Sequence, residues 1–97
     1  MKRVLIDKVV SKEDLITRVY NGISEELNNW AEKNWDAFEE IIRSLNDYLP
    51  NEKIVILNKD LSLLSKQDLF LYEDILFNAI QYYKQKGMPD KVSVYII

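Results

Sequence analysis

The residues best suited to chemistry in this sequence are carboxylates concentrated in the segment NWDAFEE, residues 34–40. Asp36, Glu39 and Glu40 occupy three of five consecutive positions there. On a helix, these three acids and position 43 share one face, so they would be presented together. Such a face is either an ordinary solvated surface, with acids near the helix start favoured by its dipole, or a surface directed at a positively charged partner.

The rest of the composition limits what those acids can do. The chain contains no histidine and no cysteine, which excludes Ser/His and Cys/His nucleophile pairs, thiolate metal sites and disulfides. Its two glycines, Gly22 and Gly87, are too few for a phosphate-binding loop. Carboxylates on a convex helix face do not imply a pocket with perturbed pKa values. We therefore expect a binding protein rather than an enzyme, with no cofactor and no metal ion.

The charge is distributed unevenly along the chain. The formal net charge is −3, but residues 25–40 hold six acids and one lysine, which is a net charge of −5. The remaining residues therefore sum to +2. A concentrated negative surface disfavours binding to nucleic acid and favours a basic protein partner.

The length and hydropathy of the chain indicate its general class. Ninety-seven residues are enough for a single domain, 1–97, built around one core. The first residues lack the apolar run of a secretory signal, and no segment approaches the ~18 apolar residues that a membrane span needs. We expect a cytoplasmic protein without a membrane partner, and a monomer by default.

Hydrophobic periodicity and capping signals predict alternating strands and helices. Ser11 begins the first helix, Asn34 is the expected N-cap of the second, and Gly87 ends the third. The pair Asn28-Asn29 reads as an exit into a loop, 28–33, and residues 58–64 read as another loop. The predicted strands are 2–6, 53–57 and 92–97, and the predicted helices are 12–26, 34–47 and 66–86.

This order predicts an α/β fold with a three-stranded parallel sheet, because strands that alternate with helices form parallel crossover units. The run IVIL, residues 54–57, is the most uniformly apolar strand and suggests a central strand covered on both faces. The expected strand order is therefore 1-2-3. Three or more helices would bury their apolar stripes against this sheet.

The stretch NWDAFEEII resembles the signature of the barstar family, in which an aromatic residue precedes Gly-x-Asn-Trp/Leu-Asp-Ala-Leu and a further acid follows in the same helix. The four residues from Asn34 to Ala37 match directly, and Phe38 replaces an aliphatic residue. Glu40 stands where the family has its second recognition acid. The layout is also similar over nearly the whole chain, from the short first strand through Asp14-Leu15 in the first helix to the final helix that stops at Gly87.

The resemblance implies an intracellular inhibitor of a small basic ribonuclease, in which the acidic helix and the preceding loop occlude the enzyme's active site. Carboxylates would take the place of RNA phosphates and meet arginine and lysine side chains. Asp36 and Glu40 would be the main phosphate mimics, with Asn34 supporting the loop. Trp30 corresponds to an aromatic residue of the family's loop and could pack either on the partner or over the core. The aromatic residues Trp35 and Phe38 belong to the apolar stripe and are expected in the core.

Several positions depart from the family pattern. Glu32 stands in place of a glycine, Glu39 replaces an aromatic contact residue, and Arg43 replaces a small polar one. Tyr82 occupies the place of an acidic contact on the last helix. These departures favour a partner other than barnase, such as a divergent ribonuclease or a ribonuclease toxin neutralised by an immunity protein. An acidic barstar-like binding module with a non-nuclease partner remains the alternative. The expected partner-binding residues are thus Trp30, Asn34, Asp36, Glu39, Glu40, Arg43 and Tyr82.

Overall fold

Three parallel strands in the order β1-β2-β3 form the only sheet of the computed structural model, which describes residues 1–97. The strands are β1 (Lys2–Asp7), β2 (Ile54–Asp60) and β3 (Val92–Ile96). The predicted α/β class, the parallel pairing and the strand order are confirmed. Strand β2 extends into the predicted loop as far as Asp60. Within this extension the Asn58 side chain is buried and accepts a hydrogen bond of 2.8 Å from the Tyr72 hydroxyl.

Five helices accompany this sheet. They are α1 (Lys12–Ile23), α2 (Glu25–Trp30), α3 (Trp35–Arg43), α4 (Leu45–Tyr48) and α5 (Lys66–Gln85). None of them combines the length and the apolar character that crossing a membrane requires. After α5, Gly87 adopts a φ of 75°, a left-handed conformation that glycine adopts without strain and that ends the helix as predicted.

The helices cover one face of the sheet and leave the other open. The fully buried strand residues are alternate ones, Val4 and Ile6 in β1 and Ile54 and Ile56 in β2, so a single face meets the helices. Right-handed crossovers between consecutive neighbouring strands place all helices on that side. The prediction that IVIL is covered on both faces is therefore wrong, since its other two residues are only partly buried.

Close packing of α1 on the sheet requires a glycine. A Cβ atom added to Gly22 would lie 2.7 Å from Cγ1 of Val4, which is closer than such atoms approach in proteins. At the other end of α1, Ser11 caps the helix as predicted, because its Oγ accepts a hydrogen bond of 3.1 Å from the Asp14 amide.

Two predicted helix boundaries are wrong, and the first error has a local cause. The first helix stops at Ile23, because Ser24 turns into an extended conformation and caps a new helix by accepting from the Leu27 amide. The residues read as a loop exit, Asn28 and Asn29, consequently lie in α2.

The predicted helix 34–47 is divided at Ser44 into α3 and α4. The buried Tyr83 hydroxyl lies at this break: it donates to the Ile42 carbonyl at 2.7 Å and accepts from the Leu45 amide at 3.1 Å. These two backbone groups would otherwise bond within a continuous helix. A side chain from α5 therefore bridges the end of α3 and the start of α4 at this break.

Candidate partner-binding site

The start of α3 is set by Asn34. Its Oδ1 accepts a hydrogen bond of 2.8 Å from the Ala37 amide, which is the N-cap interaction that the sequence predicts. Its Nδ2 donates to Oε2 of Glu32 at 3.0 Å. Asn34 thus joins the first turn of α3 to the loop before it and holds one loop carboxylate in place.

The loop between α2 and α3 is held to the body of the protein by side-chain hydrogen bonds to its backbone. The hydroxyl of buried Tyr20 donates to the Glu32 carbonyl at 3.0 Å. Burial raises the pKa of Tyr20 to about 12, so the phenol remains a donor at neutral pH. The Lys33 amine donates to the carbonyls of Asn28 and Ala31, at 2.6 and 2.8 Å. These bonds give the loop a defined conformation without a partner.

Lys33 is the only basic residue among residues 25–40, and its contacts decide how much of the negative charge is neutralised. Its amine lies 5.4 Å from the ring centroid of Tyr20 and bonds to backbone carbonyls rather than to any carboxylate. Apart from one pair on α3, the acids of this segment therefore have no counter-ion within the chain.

That pair divides the acids on α3 into two kinds. Arg43 Nη2 lies 3.2 Å from Glu39 Oε1, one turn apart on the helix. Asp36 and Glu40 are exposed and take part in no salt bridge. The two acids expected to act as the main phosphate mimics are thus those that the chain leaves free.

A shallow cleft of about 300 Å³ lies beside Glu40. Trp30 and Tyr48 form an aromatic wall, with ring centroids 5.8 Å apart, and both side chains are about half exposed. The lining residues of this acidic–aromatic cleft are Trp30, Glu32, Ala37, Glu40, Ile41 and Tyr48. On the other side of the same two rings, an apolar cleft of about 340 Å³ extends towards Leu27.

The arrangement is suited to binding a cationic side chain. Carboxylates form charge-assisted hydrogen bonds to arginine or lysine, and those to arginine can be bidentate. The faces of Trp and Tyr attract the same cations within about 6 Å of the ring centroid. The cleft therefore offers both kinds of contact in one place, from the carboxylates of Glu32 and Glu40 and from its two exposed rings.

The other residues named from the sequence take different positions. Tyr82 is half-buried on α5, packs edge-on against Tyr83 with centroids 5.3 Å apart, and does not line the cleft. Phe38 is fully buried, as predicted. Trp35 is partly buried against the core, and its Nε1 donates to Oδ1 of Asp68 at 3.3 Å.

The sequence reasoning missed Tyr48 and treated Glu32 only as a departure from a family pattern. Tyr48 lies on α4, beyond the break at Ser44, and lines both clefts. No local sequence pattern predicts that break. The placement of Glu32 had a signal in the sequence, since an asparagine two residues later is a helix cap whose amide can also donate to a nearby carboxylate.

Comparison with known proteins does not assign the chain to a class. It matches no protein-family model, no curated protein and no solved structure. Within the chain itself, no group of three or more acidic side chains is arranged so that it could hold a metal ion.

Proposed function

We propose that this protein inhibits a basic ribonuclease other than barnase by occupying the enzyme's active site with the front of α3 and the loop before it. Asp36 and Glu40 take the positions of substrate phosphates, and the acidic–aromatic cleft receives an arginine or lysine side chain of the enzyme. The ribonuclease is either a divergent enzyme or a toxin for which this chain serves as the immunity protein, and the chain acts in the cytoplasm without catalysis of its own.

The observation that carries the proposal is the free charge at the front of α3. Asp36 and Glu40 are exposed and unpaired, and the one lysine of the segment bonds to backbone carbonyls instead. Since the loop is already held by Tyr20, Lys33 and Asn34, a partner need not order it on binding. Preorganisation of this kind lowers the entropic cost of association.

The test begins with co-purification of the tagged protein from its native host, followed by an RNA-cleavage assay of the basic protein that accompanies it. We expect ribonuclease activity that falls linearly with added inhibitor and vanishes at one-to-one stoichiometry. Asp36→Lys and Glu40→Lys restore activity, because each places a cation against the enzyme's own cations.

Asp90→Lys is the matched control for these variants. It makes the same charge change at an exposed position before β3, away from the cleft, and should inhibit like the unmodified protein. Equal inhibition by all three variants, or a partner without ribonuclease activity, would contradict the proposal.

A second candidate is an acidic binding module with a basic partner that is not a nuclease. The backbone at Glu32 favours it: the only residues with positive φ are Lys8 and Gly87, so this loop does not use the glycine conformation that the family's pattern suggests. The loop is therefore built differently at that position. In this case the co-purified partner binds with strong salt dependence, and no ribonuclease is inhibited.

A further inference from the structure

The face of the sheet that the helices leave open carries an ordered row of apolar side chains. Successive residues of a strand point to opposite faces, so the residues between the buried ones lie on this open face. The strand register places Leu5 beside Leu57, and Leu57 beside Tyr95. The preceding row across the same face consists of Arg3, Val55 and Ser93.

An uncovered face is unusual for a parallel sheet. Such sheets occur almost always with both faces covered, because their crossover helices usually pack on both sides. Here Leu5 is 54% exposed and Tyr95 is 55% exposed, at the two edges of a row that crosses all three strands. The apolar row therefore lies where a second layer usually packs on a parallel sheet.

The exposed charged residues of the three strands are both basic, whereas the acids Asp7 and Asp60, which pair at the carboxyl ends of β1 and β2, are only partly exposed. Arg3 lies in the row before it, and Lys59 lies near the carboxyl end of β2. Both residues are exposed, and neither forms a salt bridge within the chain. Neither of the two rows contains an acidic residue. An occupant of this face would meet free cations at its margins, which is the opposite of the acidic–aromatic cleft.

The size of the face distinguishes between possible occupants. Three strands about 4.8 Å apart and five to seven residues long cover an area of roughly 14 by 20 Å, or about 300 Å². A stable dimer of globular chains usually buries ~800 Å² on each partner. One α-helix, about 10–12 Å across, fits this area along the strands for about four turns.

We propose that the open face of the sheet binds an amphipathic α-helix of another protein. The apolar stripe of that helix packs on Leu5, Leu57 and Tyr95, and acidic residues at its flanks pair with Arg3 and Lys59. The helix converts a two-layer structure into a three-layer one. This surface lies on the side of the sheet away from the helices, so the interaction does not depend on the proposed inhibition of a ribonuclease.

A display library of 18-residue helical peptides tests this proposal with the intact protein. Every peptide carries leucines at i, i+3, i+4 and i+7, and the flanking positions are randomised. We expect selection to enrich Asp and Glu at the flanks, and amide shifts in NMR spectra to map the selected peptides to all three strands. Leu5→Ser combined with Tyr95→Ser should weaken their binding at least tenfold, and so should Arg3→Glu, which leaves the apolar row intact.

Phe77→Ser is the control, because Phe77 is 59% exposed but lies on α5, and this change should leave peptide binding unaltered. Circular dichroism confirms that each variant is folded. The proposal is overturned if no peptide is enriched, or if the selected peptides bind the Leu5 and Tyr95 double variant as well as the unmodified chain. Self-association that the double variant abolishes, without peptide binding, would show that a second copy covers the face and would equally refute a helical partner.

Discussion

The Arg43 guanidinium lies against the Glu39 carboxylate, with Nη2 3.2 Å from Oε1, one turn apart on α3. This is the only salt bridge that involves an acid of residues 25–40. The chain therefore uses its one cation on this helix to neutralise the acid beside the proposed phosphate mimics, and it leaves Asp36 and Glu40 unpaired. A basic partner of the proposed kind would therefore meet a surface whose unpaired acids are Asp36 and Glu40.

Replacing Arg43 with glutamine should leave the Glu39 carboxylate without its ion-pair partner. An exposed pair at this spacing contributes about 0.3–0.5 kcal/mol, so the free energy of unfolding should fall by no more than that. The association rate with the basic partner should rise, because the surface gains one negative charge in steering range. Stopped-flow measurements at low and high salt check this, since the gain should disappear at high salt. A slower association at low salt would show that Arg43 itself contacts the partner.

Removing the Tyr83 hydroxyl should lower the free energy of unfolding. Tyr83→Phe leaves the buried Ile42 carbonyl and Leu45 amide without this partner, which costs roughly 1–3 kcal/mol for an unsatisfied buried group. Tyr82→Phe is a matched control at the preceding residue, because the Tyr82 hydroxyl makes no hydrogen bond within the chain. Urea unfolding of both variants decides the matter. Equal stability of the two would contradict the role assigned to Tyr83 at the α3–α4 break.

Much of the fold could be predicted from the sequence, because its signals are local. Apolar periodicity predicts the long helix α5, and the caps at Ser11 and Asn34 form the bonds expected of them. Alternation of strands and helices predicts the parallel sheet and its order. In the site, the acids of α3 and the Asn34 cap come from the sequence in the same way.

What could not be predicted depends on contacts between distant residues. The break at Ser44 comes from a tyrosine 39 positions later, and it brings Tyr48 to the cleft beside Trp30. The run IVIL looks alike whether one or both faces are covered, since apolar residues occupy both faces in either case. Contacts of Tyr82 and Arg43 with a partner stay predictions.

A methyl group at Gly22 should destabilise the fold. In Gly22→Ala the added Cβ meets three side-chain atoms of Val4 between 2.7 and 3.2 Å away, including its rigid Cβ. Overpacking of this kind costs roughly 1–3 kcal/mol, which exceeds the gain of about 1 kcal/mol from replacing glycine in a helix. Denaturant unfolding should show that Gly22→Ala lowers the free energy of unfolding. The decrease should be smaller when Gly22→Ala is compared with Gly22 in chains that both carry Val4→Ala. An equal decrease with and without Val4→Ala would show that the contact with Val4 does not cause the destabilisation.

Alkaline pH should destabilise the protein through its buried tyrosines. Burial raises the pKa of Tyr20 to about 12 and also raises the pKa of Tyr72 and of Tyr83. Between pH 10 and 12 the unfolded chain loses phenol protons that the folded chain retains, so the free energy of unfolding falls as the pH rises. Burial lowers the pKa of Lys91, which has the opposite effect, but only below its ordinary value of about 10.5.

The decline should therefore be steepest above pH 11, and urea unfolding at half-unit pH intervals measures it. Tyr20→Phe should reduce the slope between pH 10 and 12, because one of the protonated groups is removed. A stability that is constant up to pH 12 would contradict the burial of these phenols.

Competition with RNA tests the central claim most directly, namely that the front of α3 takes the place of an anionic backbone. The measurement is the affinity of the co-purified ribonuclease for a non-cleavable oligonucleotide at increasing concentrations of this protein, with Asp36→Lys in parallel. The account predicts mutually exclusive binding for the unmodified protein and a large loss of competition for the variant. A ternary complex of enzyme, oligonucleotide and inhibitor would contradict it.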